Sequence, residues 1–90
     1  MEKKALRLRI FGRVQGVGFR YYTQKKAQEL NITGYVRNMP DGSVYIEAEG
    51  DPDALEQFVL WCETGPDWAR VSKVEKQYQP PLGYQGFEIR

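Results

Sequence analysis

Leu6-Arg7-Leu8-Arg9-Ile10-Phe11-Gly12-Arg13-Val14-Gln15-Gly16-Val17-Gly18-Phe19-Arg20 changes its period partway along. Leu6, Leu8 and Ile10 alternate with Arg7, Arg9 and Phe11, the period-two pattern of a strand over residues 5–13 with one buried face. Gly16 and Gly18 then interrupt regular pairing. Beyond them Phe19, Thr23, Ala27 and Leu30 recur at spacings of four, four and three, one face of a helix over residues 21–30. The opening of the chain is therefore strand, glycine loop, helix.

Working outward, Asn31 and Gly34 stop that helix, and Tyr35-Val36-Arg37-Asn38 reads as a short second strand. Met39-Pro40-Asp41-Gly42 is a turn by composition, and Val44, Ile46 and Ala48 alternate after it, so a hairpin is expected. Asp51-Pro52 supplies an N-cap and a preorganised first helical residue, and Leu55, Phe58, Val59 and Cys62 mark the apolar face of a second helix that Gly65-Pro66 ends. Residues 70–78 read as a fourth strand in which Val71 and Val74 are out of step, the signature of a bulge. Phe87 and Ile89 form a short final strand after Pro80, Pro81 and Gly83. The order β-α-β-β-α-β, with that fifth short strand, predicts an α+β fold of ferredoxin-like split βαβ type, an antiparallel sheet with two helices on one face. Ninety residues leave room for one core, so residues 1–90 are expected to form a single domain.

Composition narrows the chemistry. Thirteen basic residues against twelve acidic give a net charge of +1, which makes no electrostatic case for nucleic acid. No apolar run approaches the about 20 residues that span a bilayer, and Met1-Glu2-Lys3-Lys4 lacks the pattern of a secretory signal, so a cytoplasmic protein with no membrane partner is expected. Histidine is absent and Cys62 is the single cysteine. That excludes Ser-His and Cys-His nucleophile pairs, histidine acid–base work and the usual zinc sites, and no metal or other cofactor is expected.

Two segments remain where chemistry fits. In residues 12–20, glycines let successive backbone N–H groups converge, and the helix N-terminus that follows favours an anion. Arg20 adds a planar donor fork matched to phosphate oxygens. The alternative is a loop that merely turns the chain, with Arg20 a solvated charge. In residues 34–44, Asn38 at a strand end either satisfies turn backbone groups or holds a water. A split βαβ topology would bring this strand end beside the first loop.

Together, Gly12-x-Val14-Gln15-Gly16-Val17-x-Phe19-Arg20 and Gly34-x-Val36-x-Asn38-x-x-Asp41-Gly42-x-Val44 resemble the two signatures of the acylphosphatase family, and the resemblance covers almost the whole chain. It implies an enzyme that hydrolyses the carboxyl-phosphate bond of small-molecule acyl phosphates to carboxylate and inorganic phosphate. It further implies that Arg20 binds phosphate, that Asn38 orients the attacking water, and that backbone amides of Gln15, Gly16, Val17, Gly18, Phe19 and Arg20 form the cradle. Inorganic phosphate is then a product and a competitive ligand, and the enzyme is expected to be a metal-independent monomer.

Other residues read as structure. Cys62 falls on the apolar face of the second helix, and Trp61 and Trp68 read as packing or rim residues. Glu47, Glu49, Asp51, Asp53 and Glu56 offer a possible cation patch but read more simply as solvated carboxylates. One rival is an RNA-binding module, since residues 16–22 distantly resemble an aromatic strand motif, yet Val17 stands at an aromatic position and the segment is a loop if residues 6–10 are the strand. A second rival is a free-standing relative of the acylphosphatase modules of carbamoyl-transfer proteins, against which the separate 90-residue length argues.

Overall fold

The computed structural model describes residues 2–90. The alternating opening stretch forms β1 (Lys4–Arg13), the glycine loop follows, and α1 spans Phe19–Glu29. Then come β2 (Thr33–Asn38), β3 (Val44–Gly50), α2 (Pro52–Thr64), β4 (Arg70–Gln79) and β5 (Phe87–Ile89). The sheet order is β4-β1-β3-β2-β5.

Register follows from the alternation. Leu6, Leu8 and Ile10 stand opposite Ala48, Ile46 and Val44 of β3, and Ile46 in turn stands opposite Val36 of β2. All of these are buried, because a slip of one residue would exchange the apolar face for Arg7, Arg9 and Tyr45. Phe19 and Ala27 of α1 and Leu55, Phe58 and Cys62 of α2 complete the core on that face. Each large apolar side chain buried there contributes about 1.5–3 kcal/mol.

The expected ferredoxin-like topology is present, with one correction. The sheet is mixed rather than antiparallel, because β5 lies parallel to β2, with Gly34, Tyr35 and Val36 beside Phe87, Glu88 and Ile89. The long excursion through residues 80–86 brings the chain back in the same direction as β2. The out-of-step valines of β4 do mark an irregularity: the register passes from Phe11 opposite Lys73 to Gly12 opposite Val71. Gly12 has φ of +122°, and a Cβ there would lie 2.1 Å from the Arg70 carbonyl oxygen, so the close crossing of β1 and β4 requires glycine.

Asp51 occupies the N-cap position of α2 but its side chain makes no cap hydrogen bond. Pro52 with its preset φ starts this helix, and the Leu55 N–H donates to the Asp51 carbonyl. Among the described residues no helix is long and apolar enough to cross a membrane.

Candidate active site

Between β1 and α1 the loop carries positive φ at alternate residues, +75° at Gly16 and +78° at Gly18. Left-handed residues in alternation turn neighbouring N–H groups toward one side of the chain, the geometry of an anion nest. Gly18 is the N-cap of α1, yet no side chain caps the helix and no acidic residue stands in its first turn. The first-turn amides of Phe19 and Arg20 therefore keep their hydrogen-bonding capacity and their partial positive charge. Val14 and Phe19 are buried at either end of the loop, which pins it to the core.

Two sets of hydrogen bonds tie this loop to the end of β2. The Gln15 side-chain amide donates to the carbonyl oxygens of Met39 at 2.8 Å and Ser43 at 2.9 Å. On the other side, Arg20 Nη1 donates to the main-chain oxygen of Arg90 at 3.1 Å, and the Arg90 N–H donates to the Val36 carbonyl at 2.8 Å. Asn38 lies between these anchors, two residues beyond Val36 and one before Met39. The sheet order places β3 between β1 and β2, so these hydrogen bonds are what join the loop to the residues flanking Asn38.

The turn after Asn38 is closed without it. Met39 N–H donates to the Ser43 carbonyl, Gly42 N–H to the Met39 carbonyl, and Asp41 Oδ1 accepts from both the amide (2.9 Å) and the hydroxyl (2.5 Å) of Ser43. Those Ser43 hydrogen bonds, with Arg9 at 2.8 Å, hold the Asp41 carboxyl below its usual range. Among the described residues no protein donor reaches the buried Asn38 Oδ1. Among the described residues Arg20 pairs with no Asp or Glu side chain, and its one side-chain hydrogen bond goes to the main-chain oxygen of Arg90.

Cys62 is fully buried, and burial pushes its thiol up. Trp61 packs on Phe19 with ring centroids 5.7 Å apart, whereas Trp68 is a rim residue, 77% exposed.

The acidic residues of β3 are not the solvated carboxylates expected from sequence. Glu49 is 3% exposed and accepts from the N–H groups of Leu82, Gly83 and Tyr84, holding the segment that leads into β5. Glu47 accepts from the hydroxyls of Tyr45 and Tyr84 (2.6 Å each) and Tyr35 (3.1 Å), and from Gln79 Nε2 at 3.1 Å. Burial pushes the Glu47 carboxyl up, but these four donors outweigh it and bring the pKa down to about 2. Burial and the hydrogen bond to Glu47 in turn push Tyr45 up to about 12. The donors from Gln79 and Tyr84 lie more than thirty residues along the chain, so local pattern gave no sign of them. No metal-binding cluster of His, Cys, Asp and Glu is found among the described residues.

Comparison with known proteins matches residues 6–89 to the acylphosphatase family model. The chain is 45% identical to an acylphosphatase of Thermococcus kodakarensis, over 99% of this chain and 98% of that protein. An acylphosphatase structure from Coxiella burnetii superimposes with a TM-score of 0.95 at 35% identity, covering 98% of this chain and 93% of that one. HypF of T. kodakarensis contains a similar fold, with a TM-score of 0.84 and 35% identity over 97% of this chain, but that match spans only 12% of the HypF chain.

Proposed function

The chain belongs to the acylphosphatase family, and from that premise we propose that it hydrolyses acyl phosphates by direct attack of water, with Arg20 and the loop amides holding the phosphoryl group and Asn38 orienting the nucleophile. Water oxygen forms the new bond to phosphorus as the bond from phosphorus to the acyl oxygen breaks. That electron pair leaves with the carboxylate. A carboxylate leaving group has a conjugate-acid pKa of about 4, so its departure needs no general acid, and a chain without histidine loses nothing by it. In a loose phosphoryl-transfer transition state, positioning and charge stabilisation carry the rate. Arg20 offers a fork to two phosphoryl oxygens, and the amides of Gln15, Gly16, Val17, Gly18, Phe19 and Arg20 offer preorganised donors. A phosphomonoester, expelling an alkoxide, is a far poorer substrate for this equipment.

The observation that carries this proposal is the state of Asn38. Its turn is satisfied by Asp41 and the main chain, and its buried Oδ1 has no protein donor among the described residues. A structural asparagine would be spent on its own turn. A buried acceptor without a partner costs about 1–3 kcal/mol, a cost tolerated where a ligand or a bound water completes the site. Benzoyl phosphate and a phosphomonoester, offered side by side in excess chelator, test the proposal. Rapid release of phosphate from the first alone is expected. Turnover only after addition of magnesium or zinc would contradict the metal-free route.

A further inference from the structure

A cleft of about 410 Å³ is walled by Arg13, Arg70, Trp68 and the loop residues Gly16 and Val17. Arg13 ends β1 and Arg70 begins β4, and the two stand directly opposite each other in the sheet register. Like charges in directly opposed cross-strand positions destabilise a sheet. Among the described residues neither arginine has a carboxylate within ion-pair distance, so no ion pair there relieves the repulsion. Arg70 Nη1 donates to the carbonyls of Asp67 (3.3 Å) and Ala69 (2.9 Å), the residues on either side of Trp68. One guanidinium thus braces the main chain on both sides of Trp68, while among the described residues its Nε and Nη2 donors make no protein hydrogen bond.

We propose that this cleft receives the acyl group of the substrate and selects acyl phosphates whose acyl part carries a second anion, a carboxylate or a phosphate. The inference rests on the acyl phosphate hydrolysis proposed above. Gly16 and Val17 belong both to the phosphate cradle and to the cleft wall, so an acyl chain leaving the phosphoryl group along that side of the loop meets the two arginines. A rigid acyl chain gains from the flat Trp68 face, and its terminal anion relieves the Arg13–Arg70 repulsion.

The test compares kcat/KM for benzoyl phosphate, 4-carboxybenzoyl phosphate and 4-phosphonobenzoyl phosphate, whose rigid rings prevent intramolecular attack. Wild type, Arg13→Gln and Arg13→Gln/Arg70→Gln are measured at low and high salt, with melting temperature as the folding control. Wild type is expected to favour an anionic substrate over benzoyl phosphate, with the larger preference naming the anion. That ratio should fall about fivefold for each arginine removed, the equivalent of an exposed ion pair, and should shrink with salt. Arg13 is exposed and makes no protein hydrogen bond among the described residues, so Arg13→Gln keeps the test open even where the double variant is unstable. An unaltered ratio in folded Arg13→Gln, or no wild-type preference for either anion, overturns the cleft assignment while turnover of benzoyl phosphate leaves the hydrolase standing. Failure of wild type to hydrolyse any of the three removes both.

Discussion

The side-chain amide of Gln15 donates to the main-chain carbonyl of Met39 at 2.8 Å, fastening the glycine loop to the strand end one residue beyond Asn38. The same nitrogen reaches the Ser43 carbonyl on the far side of the turn, so one side chain sets the spacing of both signature segments.

Gln15→Ala keeps the loop amide and removes the clamp. Two hydrogen bonds are lost while the Met39 and Ser43 carbonyls keep their main-chain donors, which at about 0.5–1.5 kcal/mol per bond should lower stability by about 1–3 kcal/mol. Because catalysis by a positioned water is sensitive to displacements of about 1 Å, kcat should fall by as much as about 10²-fold while phosphate affinity changes little. A variant with reduced melting temperature and wild-type kcat would make the clamp a stabilising contact only.

Glu47 makes the protein's stability depend on acid. Its folded pKa of about 2 lies below the ordinary value of 4.5, so the stabilisation is complete above about pH 4.5 and drains away as pH falls toward 2. Melting temperatures taken across that window should drop more steeply in wild type than in Glu47→Gln, which has no charge to lose. Parallel curves would mean that the tyrosine hydroxyls do not hold the ionised carboxylate.

Cys62→Ser should leave kcat near wild type and cost about 1–3 kcal/mol of stability, because a hydroxyl replaces a thiol in the apolar core. In the native wild type the thiol should resist a thiol-specific reagent until the protein unfolds. Loss of activity in a folded Cys62→Ser protein would place the sulfur in the chemistry.

Local patterns carried most of the fold, since Leu6, Leu8 and Ile10 can be buried together only from one face of a strand, and Leu55, Phe58, Val59 and Cys62 only from one face of a helix. The parallel docking of β5 was not legible, because Phe87, Glu88 and Ile89 carry no signal of direction. Glu47 and Glu49 were misread for a similar reason: a carboxylate's burial depends on donors that the fold delivers from Gln79 and residues 82–84. The two signatures point to Arg20 and Asn38 as the proposed site residues, whereas the Gln15 clamp and the Arg13–Arg70 pair exist only once strands and turns are in register.

Arg20→Lys should be severely impaired, since an ammonium cannot present two parallel donors to phosphoryl oxygens. Inorganic phosphate should inhibit wild type competitively and raise its melting temperature, as a ligand of the native state does. The variant should lose both effects. Normal phosphate affinity together with normal turnover in Arg20→Lys would contradict the arginine clamp.

Asn38→Ala separates orientation of water from support of the turn, and kcat measured on a preparation whose phosphate Kd and melting temperature are also known is the most direct test of the proposed mechanism. With Arg20 and the loop amides intact, phosphate binding should persist. The rate should fall by at least the amount that follows loss of one preorganised donor to developing charge, about 10²–10³-fold. Melting temperature should stay near that of wild type, because the turn is closed by Asp41 and the main chain. A folded variant that binds phosphate and keeps near-normal kcat would remove Asn38 from the reaction.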